Sequence, residues 1–171
     1  MNIYQSIMKK IIVFAALILT NLACKKTTVD KVLTKTELLG GTKSKTWLGS
    51  AATAALTPSN ASFDLFAVLP VCETDDIMII YPTKIVENKE GNTKCDSKGS
   101  DIKNSSKWVL SSDEKSITVD RFIVTIPPLE KLEFANQKLD IVELTVSTLK
   151  LQTKFKYKSQ DVLLNASFIA K

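Results

Sequence analysis

The chain has three cysteines and no histidine, and these two counts limit the chemistry available to it. Histidine performs most general acid–base catalysis near neutral pH and is the commonest metal ligand. Nucleophile systems built on Ser-His-Asp or Cys-His are therefore excluded in their usual form. The acidic pair Asp75-Asp76 lacks the spacing of a calcium-binding loop. We expect no catalytic residues, no cofactor and no metal site, so an enzyme is the least favoured class of function.

The first cysteine, Cys24, ends an apolar run that follows two lysines. Lys9-Lys10 precede the uncharged stretch Ile11–Thr20, and the small residue Ala23 stands directly before Cys24. This order is typical of a secretory signal peptide over residues 1–23, and the run is shorter than the ~20 residues of a membrane-spanning helix. The segment resembles a bacterial lipoprotein signal, which implies lipidation of Cys24. The alternative is an ordinary secreted protein with a free thiol at that position.

Removal of residues 1–23 would leave 148 of the 171 residues, enough for one domain with a hydrophobic core. We expect a tether and the start of a short helix over 24–37, followed by a β-barrel domain over 38–171. The formal net charge is +5 and there is one arginine, Arg121, which disfavours nucleic acid as a partner. The predicted location is the cell envelope of a Gram-negative bacterium. There the lipid would hold the protein on a membrane, expected to be the outer one, with its periplasmic or surface orientation left open, as is the oligomeric state.

The other two cysteines, Cys72 and Cys95, form an even pair in a chain predicted to enter an oxidising compartment, which favours a disulfide. Two β-rich runs, IMIIYP and TKIVEN, lie between them. A hairpin that turns at Thr83-Lys84 would place Cys72 opposite Cys95 in an unbulged antiparallel ladder. The spacing therefore predicts a disulfide across a hairpin.

Strand patterns fill most of the remaining chain. Leu149, Leu151, Phe155 and Tyr157 alternate with polar residues, as expected of a strand with one buried face. A short helix is predicted from the capping box Thr34-x-x-Glu37, and another over Phe63–Leu69. Eight or nine short strands with tight connections predict an all-β fold, an antiparallel up-and-down barrel of about eight strands with one or two short helices.

A set of short motifs follows the same order as in a known family. They are LLGGTKSKTWLGS, CETDDIMIIYP, a second cysteine at Cys95, KWVLSSDEKSITV and DIVELTVSTLKLQ. Together they resemble the lipocalin-like domain of small bacterial envelope lipoproteins, over about Leu38 to the C-terminus. The resemblance implies an eight-stranded up-and-down barrel, and most members of such families have no assigned activity.

A barrel of this size can enclose one small apolar ligand. The run Gly49–Ala55 has unusually small side chains, and it predicts a void on that strand. We expect a cavity lined by Trp47, Gly49, Ala52, Ala54 and Trp108, holding a small apolar or amphipathic molecule. Two alternatives stay open. A helix over Phe63–Leu69 would pack on the alanines, or a filled barrel would present its loops to another envelope component as a structural or interaction lipoprotein.

Overall fold

Nine antiparallel strands and two short α-helices are found in the residues that the structure, a computed structural model, describes: 31–57, 61–126 and 130–171. The predicted signal peptide and the lipidation site Cys24 lie outside these ranges. The helices are α1 (Lys35–Gly40) and α2 (Val71–Thr74), with a 3-10 turn at Phe66–Val68. The strands are β1 (Lys45–Thr57), β2 (Ser62–Asp64), β3 (Ile77–Ile80), β4 (Ile85–Lys89), β5 (Ile102–Leu110), β6 (Ser116–Ile126), β7 (Glu130–Leu144), β8 (Thr148–Tyr157) and β9 (Gln160–Ala170). Among the helices of these ranges, none has the length and apolar character needed to cross a bilayer.

Eight of the strands close into an antiparallel barrel, which confirms the predicted fold class. Strands β3 to β8 each pair with the next along the chain, and β1 pairs with both β3 and β9. The closing ladder runs from Trp47↔Ala170 to Thr57↔Asp161, with a bulge between Gly49 and Ala51. Strand β2 is an additional strand on β1. Closure gives the first and last barrel strands a partner and so removes two exposed sheet edges.

The alternation predicted for β8 is confirmed. Leu149, Leu151 and Phe155 are buried, whereas the intervening lysines are exposed. Two of these lysines pair with acids on neighbouring strands, Lys150 with Glu143 at 2.7 Å and Lys156 with Asp161 at 3.7 Å. Period-two patterning places one face of a strand in the barrel and the other in solvent.

One end of the barrel is closed by α1 and the two tryptophans. The predicted capping box is present, since Glu37 N–H donates to Thr34 Oγ1 at 3.2 Å and Thr34 N–H donates to Glu37 Oε2 at 2.9 Å. Trp47 Nε1 donates to the Leu39 carbonyl oxygen at 2.9 Å, which ties β1 to α1. Trp47 and Trp108 are 0% and 1% exposed, respectively. They belong to a cluster completed by Leu39, Ile80, Ile117, Val119, Leu139, Leu149 and Leu151.

A second apolar cluster lies nearer the other end, here called the mouth. It contains Ala54 of β1, Leu65 before the 3-10 turn, and Val124, Phe155, Val162 and Leu164. Leu65 N–H donates to the Ala52 carbonyl oxygen at 2.9 Å, so the segment after β2 lies along β1. The middle of the barrel lies between the two clusters.

The helix predicted over Phe63–Leu69 is wrong. Its first residues form β2, in which Phe63 pairs with Ala54, and only Phe66–Val68 make a 3-10 turn. The Asp64 carboxylate accepts hydrogen bonds from the N–H groups of Phe66 (2.9 Å) and Ala67 (3.2 Å). These are the bonds of a capping residue, which itself stays outside the helix, so Asp64 remains in β2 and the turn begins after it.

The predicted disulfide is confirmed, but the reasoning from hairpin register is wrong. Cys72 and Cys95 are bonded, with a Cα–Cα distance of 5.1 Å. The β3–β4 ladder ends at Ile77↔Lys89, so both cysteines lie beyond it, Cys72 in α2 and Cys95 in the loop after β4. The disulfide therefore joins two segments at the mouth and does not cross a hairpin.

Candidate ligand-binding cavity

Two adjoining cavities occupy the interior and the mouth of the barrel. The inner cavity measures about 160 Å³ and the outer one about 310 Å³. Both are lined by Met78, Asn88, Asn104, Phe122, Ile123, Leu164, Ala166 and Phe168. Because they share these lining residues, the two cavities adjoin and form one path from the mouth toward the core.

Small residues on two neighbouring strands leave the space open. Ala52 of β1 and Ala166 of β9 are register partners, and both line the outer cavity. Gly49 lies on the same wall, where a Cβ atom would come within 3.1 Å of the Phe66 ring. The Phe66 ring therefore occupies the space beside Gly49, whereas the small side chains of Ala52 and Ala166 leave part of the barrel unfilled.

The structure separates the five residues predicted to line a cavity into two groups. Gly49 and Ala52 line the outer cavity. Trp47 and Trp108 lie instead in the core at the closed end, and Ala54 is packed in the mouth-side cluster with Leu65. Close packing and a cavity, which the sequence offered as alternatives, thus occur at different positions of the same strand.

Sequence reasoning missed the polar wall of the cavity. Asn88 of β4 and Asn104 of β5 are register partners, and both line the inner and outer cavities. Asn104 is 7% exposed, as is Ser106, two residues along β5. The signal was available: in IKNSSKWVL, alternation puts Asn104 and Ser106 on the same face as Trp108, a residue predicted to line the cavity.

Strands β5 and β6 separate toward the mouth. Along these described strands the ladder comprises three pairs, Trp108↔Val119, Val109↔Thr118 and Leu110↔Ile117. Beyond them, Arg121 N–H donates to Ser106 Oγ at 2.9 Å, so a side chain bridges the strands. Residues of both separated segments line the outer cavity, namely Lys103, Asn104, Ile123 and Thr125. The outer cavity thus has walls on both sides of the gap.

An ion cluster lies beside this opening. Lys103 Nζ is 2.6 Å from Asp76 Oδ2 and 3.6 Å from Glu90 Oε1. Burial raises the pKa of the Asp76 carboxyl, although the hydrogen bond and charge of Lys103 act in the opposite direction. Burial alone would lower the pKa of the Lys103 ammonium group. The hydrogen bond and the charge of Asp76 act in the opposite direction, and the pKa is raised.

The only arginine of the sequence is also committed to a carboxylate. Arg121 donates from Nε to Glu133 Oε1 at 2.6 Å and from Nη2 to Glu133 Oε2 at 2.8 Å. The hydrogen bonds from Arg121 lower the pKa of Glu133. Arg121 Nη1 also donates to Asn104 Oδ1 at 3.5 Å, a long bond that links this pair to the polar wall.

Comparison of the chain with protein-family models and with curated protein sequences finds no match. Within the described ranges, no three His, Cys, Asp or Glu side chains are grouped so as to hold a metal ion. The cavity wall is mostly apolar, and the carboxamides of Asn88 and Asn104 lie on the part of it that both cavities share.

Proposed function

We propose that this protein is a cell-envelope lipoprotein whose barrel binds a small apolar or amphipathic molecule. The observation that carries the proposal is the pair of adjoining cavities, about 160 and 310 Å³, that lead from the mouth toward the core. Ligand sites are typically concave, mostly apolar and equipped with a few convergent polar groups. The apolar walls with Asn88 and Asn104 between them have this character.

The proposed location rests on the N-terminal sequence. Lys9-Lys10, the apolar run Ile11–Thr20 and Cys24 support export followed by lipidation. The Cys72–Cys95 disulfide supports an oxidising compartment, because such bonds are rare where thiols are kept reduced. The likeness of the sequence motifs to the lipocalin-like domains of envelope lipoproteins supports the same location.

Uptake of an uncharged apolar dye tests the proposal. N-phenyl-1-naphthylamine should fluoresce in the presence of the purified protein with saturable, one-to-one stoichiometry. Ala166→Leu adds a bulky side chain to the wall shared by both cavities, so it should reduce the uptake. The matched control Ala135→Leu makes the same change on an exposed part of β7 and should leave uptake unaltered. Absence of saturable uptake by the wild type would contradict the proposal.

A second function, interaction with another envelope component, is favoured by exposed apolar side chains beside the mouth. Phe63, Val68 and Val71 are 50%, 51% and 73% exposed, respectively. Apolar groups that remain in water near one another mark surfaces that contact partners. A photo-crosslinking residue at position 71 should capture one defined protein in intact cells, and Val68→Ser should reduce that product without changing dye uptake. Capture that does not respond to Val68→Ser would contradict this second function.

A further inference from the structure

We propose that the molecule bound in the barrel carries an uncharged, oxygen-bearing group, such as a hydroxyl, ester or amide, which lies against Asn88 and Asn104. This inference rests on the proposed ligand-binding function and specifies the chemistry of the ligand. It follows from the position of the two carboxamides, their hydrogen bonds and the pairing of the surrounding charges.

The two carboxamides lie side by side where the cavities adjoin. Asn88 and Asn104 are directly opposed on β4 and β5, and opposed residues of neighbouring strands have Cβ atoms about 4.5–5.5 Å apart. Met78 of β3 is the register partner of Asn88 and also lines both cavities. One polar group of a ligand at this point would contact both amides, while an apolar chain would contact the rest of the wall.

The hydrogen-bonding capacity of these amides is largely unused by the protein. Asn104 Oδ1 accepts the long bond from Arg121, and no described protein group accepts a hydrogen bond from its Nδ2. The Asn88 carboxamide has no hydrogen-bond partner among the described residues. Asn104 is buried and Asn88 is half-buried, and both line the cavities, where a carboxamide offers two donors and one acceptor oxygen to a bound molecule. An oxygen atom of a ligand in the cavity would accept hydrogen bonds from these donors.

Other polar side chains on the inner wall have partners already. Gln152 Nε2 donates to Asn165 Oδ1 at 2.7 Å. Thr153 Oγ1 accepts from Gln137 Nε2 at 2.6 Å and donates to the Lys138 carbonyl oxygen at 2.6 Å. Gln152 and Thr153 thus have close hydrogen-bond partners, whereas among the described residues Asn88 has none and Asn104 has only the 3.5 Å bond to Arg121.

The charges around the cavity disfavour an anionic ligand group. Arg121 is paired with Glu133, and Lys103 is held by Asp76 and Glu90. A carboxylate or phosphate that took Lys103 from Asp76 and Glu90 would leave partly buried acids unpaired, which is costly. Arg121 and Glu133 are exposed, so solvent weakens the attraction of Arg121 for a ligand anion. Lys131 also lines the outer cavity, but it is exposed, where solvent and salt weaken its attraction.

A cationic ligand group is disfavoured for the same reason. Asp76 and Glu133 already have cationic partners. Glu73, which also lines the outer cavity, acts on Lys103 and helps to raise the pKa of its ammonium group, so a second cation would compete with Lys103 for these acids. Moving any charge from water to an apolar wall without a dedicated partner costs much more than moving a hydroxyl. An uncharged group that hydrogen-bonds to amides meets neither difficulty.

Three ten-carbon probes test the inference. Decan-1-ol, decanoate and decylammonium are titrated at neutral pH against the purified protein loaded with N-phenyl-1-naphthylamine. We expect decan-1-ol to displace the dye at a concentration at least about tenfold lower than either charged probe. Asn104→Leu and Asn88→Leu should each weaken decan-1-ol about three- to tenfold, the effect of one lost hydrogen bond, and leave the charged probes little changed.

The matched control is Asn165→Leu, which makes the same change at a position paired with Gln152. It should leave the order of the three probes as in the wild type. Near-ultraviolet circular dichroism of the buried Trp47 and Trp108 reports whether each variant is folded. The order of the three probes on the wild-type protein tests the inference even if a variant does not fold. Equal displacement by all three probes, or preference for a charged one, would overturn the inference and leave the binding function standing. Absence of saturable dye binding would overturn both.

Discussion

Two alanines of neighbouring strands should respond in opposite ways to the same substitution by leucine. Ala166 of β9 lines both cavities, whereas Ala54 of β1 is 4% exposed and packed in the mouth-side cluster with Leu65. Ala166→Leu places three further carbon atoms in open space. Ala54→Leu forces the same atoms into an occupied region. The pair therefore distinguishes a real cavity from a packed barrel.

The magnitudes follow from burial and packing. Burial of three carbon groups at ~0.8 kcal/mol each would stabilise by about 2 kcal/mol. Ordering a leucine side chain costs about 0.5–1 kcal/mol, so Ala166→Leu should raise the free energy of unfolding by about 1 kcal/mol or leave it unchanged. Ala54→Leu should lower the free energy of unfolding by about 1–3 kcal/mol, as in other overpacked cores.

Urea unfolding followed by tryptophan fluorescence measures both effects, because Trp47 and Trp108 are buried in the folded barrel. Dye binding supplies the second measurement: Ala166→Leu should reduce N-phenyl-1-naphthylamine uptake, and Ala54→Leu should retain it in the folded fraction. Ala135→Leu on the exposed face of β7 controls for the added apolar surface. If Ala166→Leu destabilises as much as Ala54→Leu, no open cavity exists at Ala166 and the reasoning is refuted.

Three further predictions concern the disulfide, one acid and the lipid. Replacement of Cys72 and Cys95 by alanine opens a loop with a sequence separation of 23 and should lower the free energy of unfolding by about 3 kcal/mol with the barrel retained; an unchanged urea midpoint would contradict this. The Asp75 carboxylate accepts a hydrogen bond from Thr93 N–H at 2.9 Å, and this bond lowers the pKa of Asp75. The ionised carboxylate therefore stabilises the fold above the ordinary aspartate pKa of about 4. This stabilisation is lost as the pH falls through the lowered pKa. Asp75→Asn should therefore destabilise at pH 7 and differ progressively less from the wild type below pH ~4; a constant difference in melting temperature from pH 7 to pH 3 would count against this account. Cys24→Ser should shift the protein from the membrane fraction to a soluble or uncleaved form, measured by fractionation and by labelling with a palmitate analogue, and a wild type that takes up no label would refute the lipid anchor.

Features set by local patterning could be predicted from the sequence. The alternation of Leu149–Tyr157 and the Thr34–Glu37 capping box each depend on a few neighbouring residues, and both are present in the structure. The disulfide could be predicted from cysteine count and compartment. Its geometry could not, because Cys72 and Cys95 are brought together by loops at the mouth and not by a ladder.

Strand β7 shows how a kink obscures a pattern. Its inward side chains change from odd positions (Leu139) to even positions (Phe134) across Asn136, which has a φ of 52°. A fixed period of two cannot describe a strand whose faces exchange in the middle. The strand nevertheless runs without a break from Glu130 to Leu144.

The candidate site depends on long-range register, which the sequence alone does not specify. The small residues Ala52 and Ala166 oppose one another only once β1 and β9 close the barrel. The same closure leaves Trp47 in the core, although a tryptophan beside a small-residue strand suggested a pocket wall. Asn88 and Asn104 become one polar site through the β4–β5 ladder.

Methyl-resolved NMR of the purified protein, titrated with decan-1-ol, tests the central claim most directly. The account predicts saturable chemical-shift changes at the cavity methyls of Ala52, Ala166 and Met78, with small changes at the packed Ala54. Val142, which is 61% exposed on β7, should not respond. Shifts that do not saturate, or that occur at Val142 and not at Ala166, would contradict binding inside the barrel.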